Sequence, residues 1–233
     1  ALRRTMKSEV PVMAVENVIF EENSSALFDE VVAHRLGLIP LTFDKDLYNT
    51  KEDCKCGGKS CSRCEIVLVL EKQGPCIVKA GDIKSSADDV KATDQNIPIV
   101  DLLENQRLKL EAVAQLGVGI DHIKWQAANV GYRYKPVVKL KPDEDNTKAY
   151  HACPVNVFEK KDGRVRVANE LNCTLCMRCV EVSNASVSAD DTGFIFDIES
   201  VSGLSAKDVV QSALDVLEER AEEFTLEFKK TVK

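Results

Sequence analysis

The sequence has no long hydrophobic run, few histidines and few aromatic residues. No stretch of about 18 consecutive apolar residues occurs, so no membrane-spanning helix is expected. The 3 histidines are isolated in sequence, and aromatic residues make up only 6% of the chain. Phosphate-loop, dinucleotide-binding and Gly-x-Ser-x-Gly signatures are also missing. The sequence therefore gives no support to an active site within this chain.

Positive charge is in the minority, because the formal net charge is −7. This balance argues against a free-standing nucleic-acid-binding protein, which is usually basic. With 44% hydrophobic residues the 233-residue chain can form a core, which excludes global disorder and allows one or two domains. The first residues lack the apolar segment of a signal peptide, so we expect a cytoplasmic, reducing environment.

Cysteine is the residue type that the sequence has in quantity. There are 9, an odd number, so complete internal disulfide pairing is excluded. Four lie within Cys54–Cys64 and three within Cys173–Cys179, while Cys76 and Cys153 stand alone. Gaps of two residues within a cluster are typical of metal ligands rather than of disulfides. Cys76 is interpreted as a small buried hydrophobic residue.

The second group matches half of a two-cluster ferredoxin. The template is C-x2-C-x2-C-x3-C-P, and the fourth cysteine of each copy ligates the other cluster. One cluster has all its ligands, namely Cys153, Cys173, Cys176 and Cys179. The other lacks all of them, since its positions are Asp143, Asn146, Ala149 and Ser183. The pattern predicts one iron–sulfur cluster, [4Fe–4S] or [3Fe–4S], in a ferredoxin-like module; zinc and no metal remain alternatives.

The first group has the pattern C-x-C-x4-C-x2-C, formed by Cys54, Cys56, Cys61 and Cys64. Four thiolates around one ion would make a closed, structural zinc site rather than a catalytic one. Two local disulfides or free thiols are the alternatives.

The C-terminal segment, residues 205–233, predicts the clearest helix. Ser205 and Asp208 resemble a capping box. The apolar residues that follow are spaced four and three residues apart, which places them on one face: Val210, Leu214, Leu217, Ala221, Phe224 and Phe228. This face either lies on the chain's own core or contacts a partner subunit.

Elsewhere the hydrophobic pattern predicts short helices and a β-rich middle. Helices are expected at residues 1–8 and 25–39. Strands are expected at 12–20, 65–70, 76–79, 97–103, 108–115, 132–140 and 194–201. A hairpin turn is expected at Lys161–Arg164.

Three segments resemble the α-like subunit family of multisubunit RNA polymerases. They are Leu-Arg-Arg with Ser-Glu-Val-Pro in residues 1–15, Ala-His-Arg-Leu-Gly-Leu-Ile-Pro in residues 33–40, and Gly117-x-Gly119-x-x-His122-x-Lys124-Trp125. With a ferredoxin-like insert, the chain is most similar to the archaeal, D-type branch of that family. Members of the family carry further strands before the Leu-Arg-Arg helix, so we expect the sequence to begin after them.

The resemblance implies an α+β fold in three parts. A discontinuous dimerisation domain would comprise residues 1–40 and 194–233, followed in sequence order by a β-rich insert at 41–140 and the iron–sulfur module at 141–193. The helix face, with Leu2 and Met6 near it, would bind the small subunit L. Arg3-Arg4 and His34-Arg35 would help to dock the large, B-type catalytic subunit.

By the same resemblance the chain is a non-catalytic assembly platform of DNA-directed RNA polymerase. Small subunits N and P would join the complex, and DNA would be contacted only through the assembled enzyme. The iron–sulfur cluster would have a structural or assembly-regulating role. The alternative is a ferredoxin-like electron-transfer or oxidoreductase subunit, motivated by the cysteine module.

Overall fold

The computed structural model describes residues 1–141 and 145–231. Within these ranges the chain forms a mixed α/β structure of five helices and ten strands. Their bounds are α1 (Leu2–Ser8), β1 (Val12–Asn23), α2 (Asp29–Gly37), β2 (Ile66–Gln73), β3 (Cys76–Lys79), β4 (Lys84–Ser85), β5 (Pro98–Leu102), β6 (Arg107–Gly117), β7 (Ala128–Lys139), α3 (Thr147–Ala152), β8 (Phe158–Lys161), β9 (Arg164–Val167), α4 (Arg178–Val182), β10 (Ser186–Ser200) and α5 (Ala206–Thr231). No helix of the described ranges has both the length and the apolar character that crossing a bilayer requires.

A four-stranded antiparallel sheet, in the order β1-β6-β2-β4, forms the centre of the larger of two compact units. Every second residue of β6 from Leu108 to Leu116 is buried, because alternate side chains of a strand point to the same face. Val32 and Leu36 of α2 belong to the same core. The predicted strands at 12–20, 65–70 and 108–115 are confirmed as parts of β1, β2 and β6.

Two arginines of the family-like motifs make contacts within the chain. The Arg35 guanidinium donates a 2.5 Å hydrogen bond to the backbone carbonyl of Ile99, which ties α2 to β5. Arg3 donates in the same way to the carbonyl of Val130, at 2.8 Å. Arg4, in contrast, is largely exposed. Arg4 is therefore available at the surface for the expected docking of a large subunit.

The smaller unit comprises residues 131–197. It contains the paired strands β7 and β10, the hairpin β8–β9 and two short helices. The predicted hairpin turn is confirmed, with positive φ angles at Asp162 and Gly163. Its core has few buried hydrophobic residues, which are Val138, Ala149, Val157, Phe158, Cys173, Cys179 and Ala185. A core this small rarely supports a fold without a disulfide or a metal.

The two compact units differ from the division expected from sequence. Residues 1–130 and 198–233 form one unit, because β1 of the first segment pairs along its length with β6 of the expected insert. The smaller unit contains the expected 141–193 module and extends beyond it along β7 and β10. The assignment of separate dimerisation and insert domains stays a prediction.

The Gly-x-Gly…Lys-Trp segment has a packing role that yields a first prediction. A methyl group on Gly117 would lie 2.4 Å from two carbons of the Trp125 ring. We expect Gly117→Ala to lower the free energy of unfolding by about 2–3 kcal/mol, since forcing an extra carbon into a packed site costs about 1–3 kcal/mol. Urea denaturation measures the change.

Gly131→Ala is the matched control, because an added carbon there meets nothing within 4 Å. This variant should keep its stability or gain up to about 1 kcal/mol. Equal losses in the two variants would contradict the packing role assigned to Gly117.

Candidate metal centres and assembly surface

The four cysteines of the first group meet in one loop before β2. Their sulfur atoms all lie within 4.8 Å of one another. The Sγ–Sγ distances are 3.5 Å for Cys54–Cys61 and 3.7 Å for both Cys56–Cys64 and Cys61–Cys64. Four sulfurs placed tetrahedrally at about 2.3 Å from one ion, the zinc–sulfur bond length, are about 3.8 Å apart. The loop therefore has the spacing of a site for a single metal ion.

The backbone of this loop is bent so that the sulfurs converge. Gly57 and Gly58 have φ angles of 62° and 78°, and Ser60 has one of 61°. Nothing lies within 4 Å of a Cβ added at either glycine, so the glycines are required for the left-handed backbone and not for space. The backbone N–H of Cys61 donates to the Cys64 sulfur at 3.3 Å.

The thiols of the loop differ in acidity. The backbone N–H of Arg63 lowers the pKa of Cys61 to about 7, because it donates to the ionised sulfur. Burial raises the pKa of Cys64 to about 12. Binding of a cation would displace the remaining thiol protons, so metal affinity at this loop should depend on pH. All nine cysteines are free thiols, and the alternative of two local disulfides is not found.

The second cysteine group lies in the smaller unit. Cys153 follows α3, Cys179 lies in α4, and Cys173 and Cys176 lie in the segment between β9 and α4. All four line one small apolar pocket. The remaining lining is almost entirely apolar: Val138, Val155, Val157, Phe158, Thr174, Met177 and Val187. Among the described residues, only the first cysteine group brings its ligand atoms within 4.8 Å of one another. The second group therefore does not have the sulfur spacing of a single-ion site in this structure.

The backbone between Cys173 and Cys179 adopts an unusual conformation. Leu175 and Met177, on either side of Cys176, have φ angles of 57° and 62°. Residues of this kind rarely occupy the left-handed region, which costs of order 1–3 kcal/mol and is concentrated at functional sites. Cys176 is exposed, whereas Cys173 and Cys179 are buried. Burial raises the pKa of Cys179, as do the neighbouring Cys173 and Cys153 thiols.

Other side chains fill the positions that a second cluster would need. Ala149 is completely buried in the core of the smaller unit. The Ser183 hydroxyl donates to the backbone carbonyl of Cys179 at 2.6 Å, and the Asn146 side chain donates to the carbonyl of Lys141 at 2.8 Å. Asp143 lies outside the described residues. Three of the four positions thus serve packing and hydrogen bonding.

Helix α5 carries the predicted apolar face. The Ser205 hydroxyl accepts the backbone N–H of Asp208 at 3.2 Å, which confirms the predicted N-cap. Val209 and Ala213 are the buried residues of the helix. The predicted face points elsewhere and is exposed or half-buried along its whole length: Val210, Leu214, Leu217, Ala221, Phe224 and Phe228. The chain's own core therefore leaves this face uncovered.

Two phenylalanines dominate the far end of that face. Phe224 is 70% exposed and Phe228 is 57% exposed, and their ring centroids are 6.1 Å apart. Leu2 on α1 is half-buried. Met6, also expected at the interface, is completely buried within this chain. Its side chain therefore packs inside the chain and is not exposed to a partner.

Comparison with known proteins identifies the family. A sequence profile of the RNA polymerase Rpb3/RpoA insert domain matches residues 18–132. The DNA-directed RNA polymerase subunit Rpo3 of Archaeoglobus fulgidus is 41% identical over 228 residues, covering 96% of this chain and 86% of that protein. The chain belongs to the Rpo3 family.

Further Rpo3 proteins align over nearly the whole chain. The one from Methanothermobacter thermautotrophicus is 38% identical, covering 96% of this chain and 87% of its own length. The one from Methanosarcina acetivorans is 36% identical, covering 95% and 86%. Both the cysteine-bearing segments and α5 thus lie in a chain that resembles Rpo3 throughout.

One contact near the middle of α5 has no signal in the sequence. Glu9 of the Ser-Glu-Val-Pro motif forms an ion pair with Arg220 of α5. The motif pointed to the family, but a charged residue two positions before a proline carried no signal of its distant partner.

Proposed function

We propose that this Rpo3 family member is a non-catalytic assembly-platform subunit of archaeal DNA-directed RNA polymerase, the nucleotidyltransferase complex named in its relatives. It pairs with the small subunit L, the partner that the family resemblance implies. The small subunits N and P and the large, B-type catalytic subunit then join the pair. The complex is cytoplasmic, and DNA is contacted only through the assembled enzyme. The observation that carries the proposal is the uncovered apolar face of α5.

The exposed face supplies apolar area that pairing would bury. An aromatic side chain such as Phe224 or Phe228 buries about 200 Å² when it is fully covered. At about 25 cal/mol per Å², the exposed parts of two such rings contribute several kcal/mol. A long helix with an apolar stripe also suits knobs-into-holes packing on a partner helix.

Co-expression with subunit L from the same organism tests this function. We expect the two chains to co-purify and to sediment as a 1:1 complex. The proposal would be contradicted if this chain and subunit L both folded correctly but eluted separately at micromolar concentration.

We further propose that the smaller unit holds one iron–sulfur cluster on Cys153, Cys173, Cys176 and Cys179, as [4Fe–4S] or [3Fe–4S]. Their ferredoxin-type sequence pattern, their shared apolar pocket and the lack of a single-ion sulfur spacing among them support a polynuclear group over a single zinc ion. When bound, the cluster cross-links segments of the smaller unit, which bury few hydrophobic residues among themselves. Its role is therefore structural, and its loss would regulate assembly only through folding of this unit.

The first cysteine loop is proposed to hold a structural zinc ion. Replacing Cys64 with serine should reduce bound zinc from about one ion per chain to nearly none, because a closed site needs all four thiolates. Elemental analysis after purification measures this. Cys76→Ser is the control, since Cys76 lies outside both groups and its thiol contacts the Gln73 carbonyl at 3.5 Å. Equal zinc contents in the two variants would contradict a zinc site in this loop.

An electron-transfer role is less well supported. A relay needs a second redox centre close by, and Ala149, Asn146 and Ser183 occupy the positions where a second ferredoxin cluster would bind. The sequence also lacks flavin and nicotinamide signatures.

A further inference from the structure

Helix α5 is anchored at one end only. Its two buried residues, Val209 and Ala213, lie in its first turns. Every described residue from Glu218 to Thr231 is exposed. At 1.5 Å per residue, this free half projects about 20 Å. The free half carries Phe224 and Phe228, so its direction decides where those rings can meet a partner.

Glu9 contacts the free half near its start, at Arg220. Its side chain is only 8% exposed, although Arg220 on α5 is 56% exposed. One carboxylate oxygen pairs with Arg220 and lies 3.5 Å from the Thr5 hydroxyl, which donates to it. The other lies 3.9 Å from Nε of Arg4. Among the described residues of α5, none beyond Arg220 forms a hydrogen bond or ion pair with another element.

We propose that Glu9 is a positioning residue for subunit pairing: through Arg220 it fixes the direction of the free half of α5. This inference rests on the proposed function, because it assumes that α5 meets a partner. Glu9 touches α5 from the end of α1, so it couples the Leu-Arg-Arg helix to the helix that carries the interface.

The length of the free half makes direction important. From Arg220 to Thr231 the helix extends about 16 Å, so a tilt of about 10° would move its end by about 3 Å. That displacement is close to half the spacing between ridges on a helix surface, which is enough to misalign two interdigitating faces. A change in the contact at Arg220 would therefore shift the position of Phe228.

Only the Glu9 partner of this pair is buried. Exposed pairs hold side chains weakly, but a buried carboxylate without its cation is strongly disfavoured. The buried Glu9 therefore pulls the long, exposed Arg220 side chain toward α1.

The test compares Arg220→Gln with Arg220→Lys in the full chain. The probe is purified small subunit L, with Kd measured by calorimetry and the helix content and melting temperature of the free chain by circular dichroism. We expect Arg220→Gln to raise Kd about tenfold while helix content stays unchanged, and Arg220→Lys to restore most of the affinity, because the contact needs one cation and not a bidentate fork. Glu9→Gln should match Arg220→Gln, and the double variant should be no weaker than either.

Arg166→Gln provides the control, since Arg166 forms an exposed ion pair with Glu159 in the smaller unit at 3.4 Å. It should leave Kd unchanged. Wild-type affinity in Arg220→Gln would overturn the positioning role while leaving the proposed pairing intact. Loss of helix content in Arg220→Gln would also overturn the positioning role, because it would show that the Glu9–Arg220 pair is needed for α5 to fold. Failure of the wild-type chain to bind subunit L would instead refute the proposed function.

Discussion

Replacing Cys179 with serine should remove the iron–sulfur cluster and unfold residues 131–197. Cys179 is a buried member of the small core of this unit, so its sulfur packs in that core as well as being a proposed cluster ligand. In small metal-dependent domains, metal binding contributes about 10 kcal/mol or more to folding, comparable to the whole stability of a domain. Iron and sulfide analysis after anaerobic purification measures the cluster, and amide hydrogen exchange measures the unfolding.

The effect should stay within the smaller unit. Protection of β1, β2 and β6 amides and pairing with subunit L should persist in Cys179→Ser, since α5 and the main sheet belong to the other unit. Cys76→Ser should keep both the cluster and the protection pattern. Full protection of 131–197 in Cys179→Ser would show that the unit folds without its cluster, and lost pairing would show that the cluster controls assembly directly.

Replacing Phe228 with aspartate should abolish pairing through α5. Truncating or charging an aromatic anchor residue of an interface costs about 2–4 kcal/mol, which corresponds to roughly 30- to 1,000-fold in Kd. Analytical ultracentrifugation with subunit L gives the affinity, and circular dichroism checks that the helix persists.

Leu226→Asp is a closely matched control for that experiment. Leu226 is 58% exposed and Phe228 is 57% exposed, and both lie in the last turns of α5. At 100° per residue, however, Leu226 points well away from the predicted face. We expect Leu226→Asp to pair normally. If the two substitutions lowered the affinity for subunit L equally, the end of α5 would contribute to binding without using the predicted face.

Local patterns in the sequence were sufficient for most elements and for the first cysteine group. A β-branched run predicted β2, the strand character of residues 12–20 and 108–115 predicted parts of β1 and β6, and the Asp162-Gly163 pair predicted the β8–β9 turn, because each depends on neighbours within a few residues. The apolar residues of α5, spaced four and three positions apart, predicted the face that is exposed in the structure. The spacing of Cys54–Cys64 predicted a compact four-sulfur loop, and the structure brings those sulfurs together.

Features that depend on distant parts of the chain were not predictable in this way. The pairing of Glu9 with Arg220 and the hydrogen bond from Arg35 to the Ile99 carbonyl join residues far apart in sequence. Burial of Met6 also depends on what packs over α1, since its helix repeats too briefly to show a face. The left-handed backbone at Leu175 carries no glycine signal, because the loop around it imposes the conformation.

The platform role is tested most directly by reconstituting the polymerase from separately purified subunits of the same organism. Transcript synthesis should require this chain, and the wild-type chain should restore it, whereas Phe228→Asp should fail to do so. Leu226→Asp should restore synthesis as well as wild type. Full transcript synthesis without this chain, or equal synthesis with Phe228→Asp, would contradict an assembly platform built on α5.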